Sequence, residues 1–251
     1  LGDVYKRQVI IVFMCIAATN FGLFYAALKG DVKKLLLDEE FRWYMILILG
    51  ATTIIATGLY WANWGEEEKC IRDALFQVVS IMTTTGFATA DYLYWPTLLG
   101  LILFILMFIG SCASSTAGGI KVIRVVLLFK NSFTEMKRII HPNAVINVKY
   151  NDKSVHPTIM TSVMGFFILF IIVFSIGSVI MAFFTEDIAT ACSAVITSLS
   201  NIGPGFGSLG PMDNFAHLSD VAKLFLAALM LIGRLEVFTV LVLFTKAFWK
   251  K

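Results

Sequence analysis

The stretch that decides the fold is VVSIMTTTG at residues 78–86, because it recurs 117 positions later as VITSLSNIG at residues 195–203. The two copies align without a gap, and both end in glycine. A second match follows each copy, since LMFIG at residues 106–110 corresponds to LMLIG at residues 229–233. Self-similarity of this kind indicates a repeated architecture, so the sequence predicts two copies of one structural unit.

The composition places both units in a membrane. Of the 251 residues, 58% are hydrophobic and 15% are charged, whereas an ordinary soluble domain has about 25% charged residues. So few charges cannot cover the surface of a soluble fold, which excludes a soluble enzyme, a nucleic-acid-binding domain and a disordered chain. Runs of about 20 apolar residues are long enough to cross the hydrocarbon core. The sequence predicts such spans at residues 9–28, 44–61, 157–184 and 221–248.

Two shorter apolar segments precede the repeated glycines, at residues 74–84 and Ile188–Ser200. At about 1.5 Å per residue neither reaches across the hydrocarbon as a helix, so each is predicted to enter the membrane and turn back. This arrangement puts the basic segments on one side, which the positive-inside rule makes the cytoplasmic side. Those segments are residues 29–42, 121–153 and 246–251. Both units then face the same way, which favours a pore along an axis normal to the membrane.

The polar turns behind the two short helices are the candidate functional segments. Their residues are Thr83, Thr84, Thr85, Gly86 and Phe87 in the first turn and Asn201, Ile202, Gly203, Pro204 and Gly205 in the second. The negative end of a helix dipole at each turn favours a cation, and glycine lets successive carbonyls line up without a clash at Cβ. Rings of carbonyls replace the hydration shell of a monovalent cation, whereas a divalent site normally brings carboxylates, which neither turn has. The alternative is a pair of hairpins that only pack within a membrane scaffold.

These turns resemble the third and fourth filter segments of the Trk/Ktr potassium-transporter superfamily, with the bacterial TrkH type as the closer match. Further similarity lies in NFGL at residues 20–23, DEEFR at residues 38–42 and GGIK at residues 118–121. The resemblance implies an all-α, potassium-channel-like membrane protein with four span–pore-helix–span repeats around one pore. It also implies K⁺ as the transported ion and no organic cofactor. The implied K⁺ ligands are Thr84, Thr85, Gly86, Asn201, Ile202 and Gly203.

By this resemblance the chain supplies two of the four repeats and is truncated at its N-terminus. Residues 1–8 are expected to be a non-native or disordered leader, and residues 9–29 the last span of the second repeat. Residues 30–154 are expected to form the third repeat, with a broken inner span and a cytoplasmic loop. Residues 155–251 are expected to form the fourth.

The apolar run at residues 95–129 is too long for one span, and nine small residues interrupt it at 111–119. Small residues rich in glycine and serine form poor helix and favour a loop, the alternative being a small-residue face for helix packing. The resemblance makes this segment an intramembrane loop that acts as a gate below the filter. Its functional residues would be Ser111, Ser114, Ser115, Thr116, Gly118 and Gly119.

Arg234 and Glu236 interrupt the last apolar run, and charges at membrane depth are candidate functional residues. Residues two apart on a helix point in nearly opposite directions, so each of the two needs another partner. By resemblance Arg234 lies below the filter beside the loop and acts as a barrier to ion flow, with Glu236 as a structural counter-charge. The alternative is a structural ion pair with other spans.

The resemblance also implies partners and a location. The partners would be the lipid bilayer of the bacterial inner membrane, a second full-length copy of the chain, and a cytoplasmic nucleotide-binding regulatory subunit of the TrkA type, with the C-terminus cytoplasmic and no nucleic acid bound. The leading hypothesis is the pore-forming subunit of a potassium uptake system, by passive or cation-coupled movement, and not an enzyme. A secondary cation symporter or carrier with a midplane site, and a non-conducting scaffold subunit, are the open alternatives.

Overall fold

The computed structural model describes residues 2–142, 144, 146–243 and 245–249. Helices dominate this part of the chain, and its strands form one antiparallel pair. The helices are α1 (Gly2–Ala17), α2 (Phe21–Leu28), α3 (Val32–Leu37), α4 (Glu39–Trp61), α5 (Glu67–Met82), α6 (Thr97–Leu106), α7 (Val122–Ile140), α8 (Pro157–Met181), α9 (Ile188–Ser200), α10 (Asp220–Arg234), α11 (Val237–Val242) and α12 (Lys246–Trp249). The strands are β1 (Lys149–Tyr150) and β2 (Lys153–Ser154). The expected all-α fold class is confirmed.

Two of the predicted spans are single long helices. α4 has 23 residues and α8 has 25, and both are long and apolar enough to cross a membrane. Asp38 fixes the start of α4, because its side chain accepts a hydrogen bond from the Phe41 backbone N–H at 3.0 Å. Pro157 occupies the first turn of α8, where its missing N–H costs no helical hydrogen bond. The predicted spans at residues 44–61 and 157–184 therefore correspond to long helices, of which α8 ends at Met181.

The predicted span at residues 9–28 is bent in the structure. It is divided into α1 and α2, which meet at an angle of 108°. Asn20 starts the second helix, because its side chain accepts a hydrogen bond from the Gly22 N–H at 2.8 Å. The backbone groups freed by the bend bond to the loop after α6, since Cys112 N–H donates to the Ala18 carbonyl at 3.2 Å.

Residues 2–8 of the segment expected to be a non-native or disordered leader belong to α1, which begins at Gly2. Residue 1 lies outside the described residues. This part of α1 contacts α5, where the guanidinium of Arg7 lies 3.7 Å from the carboxylate of Asp73. Asp73 is buried, and a buried carboxylate requires such a partner.

Both runs that follow a short helix are broken. Residues 95–129 divide into α6, a loop at 107–121 and α7, which confirms the predicted break and extends α7 to Ile140. The predicted span at residues 221–248 is also interrupted, at Glu236, which has a φ of 62°. A non-glycine residue in this left-handed region cannot continue a right-handed helix, so α10 ends and α11 begins on either side of it.

Each short helix is followed by chain that returns along it. After α5, Gln77 Nε2 donates to the Ala90 carbonyl at 3.1 Å and Ser80 Oγ donates to the Phe87 carbonyl at 2.6 Å. The chain after α9 runs back in the same way, with hydrogen bonds from Thr197 to Pro204 and from Ser193 to Phe206. The prediction that both segments turn back is confirmed.

The hydrophobic core surrounds these two short helices. α5 is buried against α4 and α6, where Ile55, Leu59 and Leu103 pack on it. α9 is buried between α8 and α10, against Met181 and Leu226. Both short helices are therefore largely enclosed by protein.

A hairpin formed by β1 and β2 packs against the start of α4. Its turn residues Asn151 and Asp152 have φ values of 46° and 62°, as a two-residue hairpin requires. The Asn151 amide donates to Asp38 Oδ2 at 2.8 Å and accepts from the Glu39 N–H at 2.9 Å. Burial raises the pKa of Tyr150, with a further contribution from the charge of Asp38, so its hydroxyl stays protonated beside that carboxylate. The basic segments at residues 29–42 and 121–153 therefore meet at one end of the molecule; residues 250 and 251 of the third predicted basic segment lie outside the described residues.

Candidate functional site

The first turn is held by the last residues of α5. Thr84 has a φ of 52° and Gly86 a φ of 78°, so the chain leaves the helix through two left-handed residues. The Thr85 N–H donates to the Ser80 carbonyl at 2.9 Å, and Ser80 Oγ donates to the carbonyl of Phe87. The hydroxyls of Thr83 and Thr85 form a hydrogen bond with each other at 2.8 Å. Backbone N–H groups of the turn are thus directed back towards the helix, which leaves the carbonyls free to point away from it.

The second turn repeats this stereochemistry 117 positions later. Asn201 has a φ of 56° where Thr84 has 52°, and Gly203 has a φ of 121° at the position of Gly86. The Ile202 N–H donates to the Thr197 carbonyl at 2.9 Å, and Thr197 Oγ1 donates to the Pro204 carbonyl at 3.0 Å. Each of these bonds has its counterpart in the first turn at the same offset. The internal repeat seen in the sequence is therefore a repeat of backbone conformation.

The two turns contact each other. A Cβ atom on Gly86 would lie 2.1 Å from the Ile202 carbonyl oxygen, so only glycine allows this approach. Tyr92, which follows the first turn, donates from its hydroxyl to the Gly205 carbonyl at 2.8 Å. Burial raises the pKa of Tyr92, with the charge of Asp91 adding to the effect, so the hydroxyl remains a donor. Gly86 and Ile202 are thus at the junction of the two units.

The turns carry a set of unpaired backbone acceptors. Within the described part of the chain, no hydrogen bond is donated to the carbonyl oxygens of Thr83, Thr84, Thr85, Gly86, Asn201, Ile202 or Gly203. α5 and α9 both end here, so their negative dipole ends also face this region. Accessibility differs among the candidates, since Thr83, Ile202 and Gly205 are buried while Phe87 and Gly203 are exposed. Chemically, the arrangement suits a dehydrated cation.

Sequence reasoning missed the hydroxyl residues that support the turns. Thr197 Oγ1 accepts the Gly203 N–H at 2.9 Å in addition to its bond to Pro204, and Ser193 bonds both the N–H and the carbonyl of Phe206. Ser80 and Thr197 occupy equivalent positions in the aligned copies. These equivalent hydroxyls in the two copies are the feature of the sequence that could have indicated a supporting role.

The loop after α6 lies against both turns. The Gly118 N–H donates to Thr84 Oγ1 at 2.9 Å, and Ser111 Oγ donates to the Met82 carbonyl at 2.7 Å. A Cβ atom on Gly118 would lie 2.1 Å from the Ser200 carbonyl oxygen at the base of the second turn. Gly119 has a φ of 67°, which glycine adopts without strain. The structure thus brings the loop residues and both turns together.

The hydroxyls of the loop bond to backbone. Ser115 Oγ donates to the Cys112 carbonyl at 2.5 Å, and Thr116 Oγ1 donates to the Ala17 carbonyl at 3.1 Å. Ser114 is exposed, and its carbonyl accepts the Phe21 N–H at 3.3 Å. The bend between α1 and α2 therefore helps to hold the loop.

Arg234 and Glu236 have separate partners, as their spacing predicts. Arg234 Nη1 donates to the Thr116 carbonyl at 2.7 Å, so the guanidinium lies directly on the loop. Glu236 pairs with Arg124 of α7 at 2.8 Å. Both line a cavity of about 430 Å³ beside the loop, together with Lys121. The structure joins Arg234 to the loop, while Glu236 balances a cation of the other unit.

Known proteins similar to this chain were identified from sequence. The family model for TrkH, described as a cation transport protein, matches residues 3–251. The Trk system potassium uptake protein TrkH of Salmonella typhimurium is 40% identical over 247 residues, which is 98% of this chain and 51% of that protein. The protein of the same name from Vibrio parahaemolyticus is 38% identical over 99% of this chain and 52% of its own length.

A solved structure is similar as well. The crystal structure of the potassium transporter TrkH from Vibrio parahaemolyticus superposes with a TM-score of 0.91 at 36% identity, covering 97% of this chain and 53% of that one. The chain therefore spans about half the length of the curated relatives it matches. Since the family model covers nearly all of the sequence, this chain belongs to the TrkH family of cation transport proteins.

Proposed function

We propose that this chain forms half of the pore of a potassium uptake system, with the two turns as filter segments. The observation that carries the proposal is the pair of matched turns, each with unpaired carbonyls at the end of a buried helix, in contact at Gly86 and Ile202. Carbonyls without donors at membrane depth are costly unless they are coordinated, and a dehydrated monovalent cation supplies that coordination. The carbonyls of Thr84, Thr85, Gly86, Asn201, Ile202 and Gly203 are the proposed ligands.

We infer K⁺ as the transported ion from the relatives, whose names give potassium uptake as their activity. Both turns have glycine at the matching position, which supports the same assignment. The whole pore would need filter segments beyond the two in this sequence, because its relatives are about twice as long.

The loop at residues 111–119 is the proposed gate. It touches both turns through Gly118, so an ion leaving them would meet the loop next. The guanidinium of Arg234, bonded to the Thr116 carbonyl, places a positive charge in that path and supports a barrier role.

The proposed setting is the bacterial inner membrane, with the hairpin end and the C-terminus in the cytoplasm. The gathering of basic segments around the hairpin supports this orientation. The relatives' names describe a Trk system, which supports further components. We assign these as a second full-length copy and a cytoplasmic nucleotide-binding regulatory subunit.

The test is a hybrid transporter, in which this chain replaces the matching half of the Vibrio parahaemolyticus TrkH. We expect it to restore growth at low K⁺ to bacteria that lack their own K⁺ uptake. The control is the same hybrid with Gly86→Ala, which closes the space at Ile202.

A hybrid that reaches the membrane without restoring growth would contradict the pore and favour a scaffold. Uptake that saturates with a fixed proton or sodium stoichiometry would favour a symporter.

A further inference from the structure

A buried carboxyl group lies outside both the turns and the loop. Glu40, in the first turn of α4, is only 2% exposed. A buried carboxyl group is costly unless its oxygens are hydrogen-bonded, so its partners indicate why it is retained.

The Glu40 side chain accepts two backbone hydrogen bonds, one from the loop and one from α7. Its Oε1 atom accepts from the Ala113 N–H at 2.6 Å and from the Ile123 N–H at 3.2 Å. Ala113 belongs to the loop itself, whereas Ile123 lies in the first turn of α7. One oxygen on α4 therefore joins two segments that are ten positions apart in the chain.

The bond to Ile123 also completes a helix terminus. The first N–H groups of a helix have no partner within it, and a side chain usually supplies one. The residue before α7 is Lys121, which makes no side-chain capping bond. Glu40, which belongs to α4, supplies this acceptor to the first turn of α7. Its negative charge suits the positive end of the α7 dipole.

At its other end the loop is fixed to the turns. Gly118 bonds to Thr84 and lies on the Ser200 carbonyl, five positions after Ala113. The loop is thus held between Glu40 and the two turns. Losing the Glu40 bond would loosen the loop at Ala113, between the bonds that Cys112 and Ser114 make to the bend of α1 and α2, while the turns stay unaltered.

We propose that Glu40 is a positioning residue for the gate. Its carboxyl oxygen fixes Ala113 relative to α7 and so determines how firmly the loop stays beneath the turns. This inference rests on the proposed gating function of the loop.

The test uses the hybrid transporter with Glu40→Ala and Glu40→Gln, and with Glu135→Gln as the control. Glu135 lies on the surface of α7 and pairs with Arg138. It is a carboxylate of a neighbouring helix that makes no hydrogen bond to the loop within the described residues. Glu40→Ala is expected to raise single-channel open probability at least threefold and to leave the K⁺/Na⁺ permeability ratio unchanged. Glu40→Gln keeps an acceptor oxygen without the charge and should give an intermediate effect.

Hydrogen exchange supplies a readout that does not depend on conduction. In Glu40→Gln we expect amides of the peptide spanning residues 111–124 to exchange about tenfold faster, while the peptide spanning residues 80–90 is unchanged. Unaltered exchange in residues 111–124, or a change in permeability ratio at constant open probability, would overturn the proposal. If Glu40→Ala fails to reach the membrane, Glu40→Gln decides by the same criteria. Faster exchange in a hybrid that conducts nothing would retain the role of Glu40 in holding the loop but refute the pore.

Discussion

At the scale of single residues, the two glycines of the turns differ in what surrounds them. Gly86 combines a φ of 78° with a backbone oxygen 2.1 Å from its missing Cβ, whereas Gly203 has a φ of 121° and open space around it. The aligned sequences treat these glycines as equivalent. Only the contact between the two units distinguishes them, and a contact between units cannot be read from either copy alone.

We therefore expect Gly86→Ala to be far more damaging than Gly203→Ala. Both variants carry the backbone strain of a side chain at positive φ, about 1–2 kcal/mol, but only the first adds a clash with backbone that cannot move aside. The measurement is K⁺ uptake by the hybrid transporter. Gly50→Ala, on the exposed face of α4 with nothing within 4 Å, is the matched control. Equal losses in the two turn variants would contradict the contact at Ile202.

Thr197→Val should destabilise the second turn. Valine keeps the shape of threonine but leaves the Gly203 N–H and the Pro204 carbonyl without their partner, at a cost of about 1–3 kcal/mol. At roughly 2–4 °C per kcal/mol, the melting temperature should fall by several degrees. Thr57→Val, on the exposed side of α4, removes a hydroxyl that bonds only within its own helix and should change little.

Arg234→Gln tests the barrier. Removing the positive charge while keeping a donor for the Thr116 carbonyl should raise single-channel conductance. Lys223→Gln, on the same helix but paired with Asp220, is the control. Reduced transport with normal assembly would contradict a barrier role.

At the scale of elements, the sequence predicts which segments are helical better than how they are joined. The long apolar runs of α4 and α8 are confirmed, because length and hydropathy alone decide them. The 108° bend between α1 and α2 is not predicted, because the N–H that satisfies the freed Ala18 carbonyl belongs to Cys112, more than 90 positions away. The broken run after α6 was predicted, since nine small residues in succession carry the signal locally.

The position of the loop beneath the turns leads to a prediction for Gly118. Gly118→Ala would push its Cβ against the Ser200 carbonyl, so the loop and the second turn must separate. We expect altered gating, measured as open probability in the hybrid transporter, with Gly50→Ala again as the control. Unchanged flux and open probability would contradict the close contact between Gly118 and the Ser200 carbonyl.

At the scale of the whole molecule, charge distribution predicts which segments share an end. The hairpin and the start of α4 both come from basic segments, and they meet through Asn151. The contact itself cannot be predicted from the sequence, because 112 positions separate Asn151 from Glu39 and no periodic pattern links them.

Asn151→Gly tests this contact without straining the turn, because glycine accepts the φ of 46°. Losing the amide removes the bond to Asp38 Oδ2 and the acceptor of the Glu39 N–H, and should speed hydrogen exchange at residues 38–41, while the residue 151 N–H still bonds to Glu39 Oε2. Asp152→Gly removes the neighbouring side chain at a similar φ and is the matched control. Equal effects of the two variants would assign the change to the turn and not to the contact.

Asp38, Glu39 and Glu40 are consecutive, yet they hold three different segments: the hairpin, Lys130 of α7, and the loop. Glu39 and Glu40 are successive helical residues, rotated by about 100° around the axis, and Asp38 precedes the helix, so the three attachments point in different directions. A rotation of α4 about its axis would therefore lengthen one of these contacts while it shortens another. The hairpin and the loop are thus attached to neighbouring residues at the start of one helix, so a rotation of that helix moves both together.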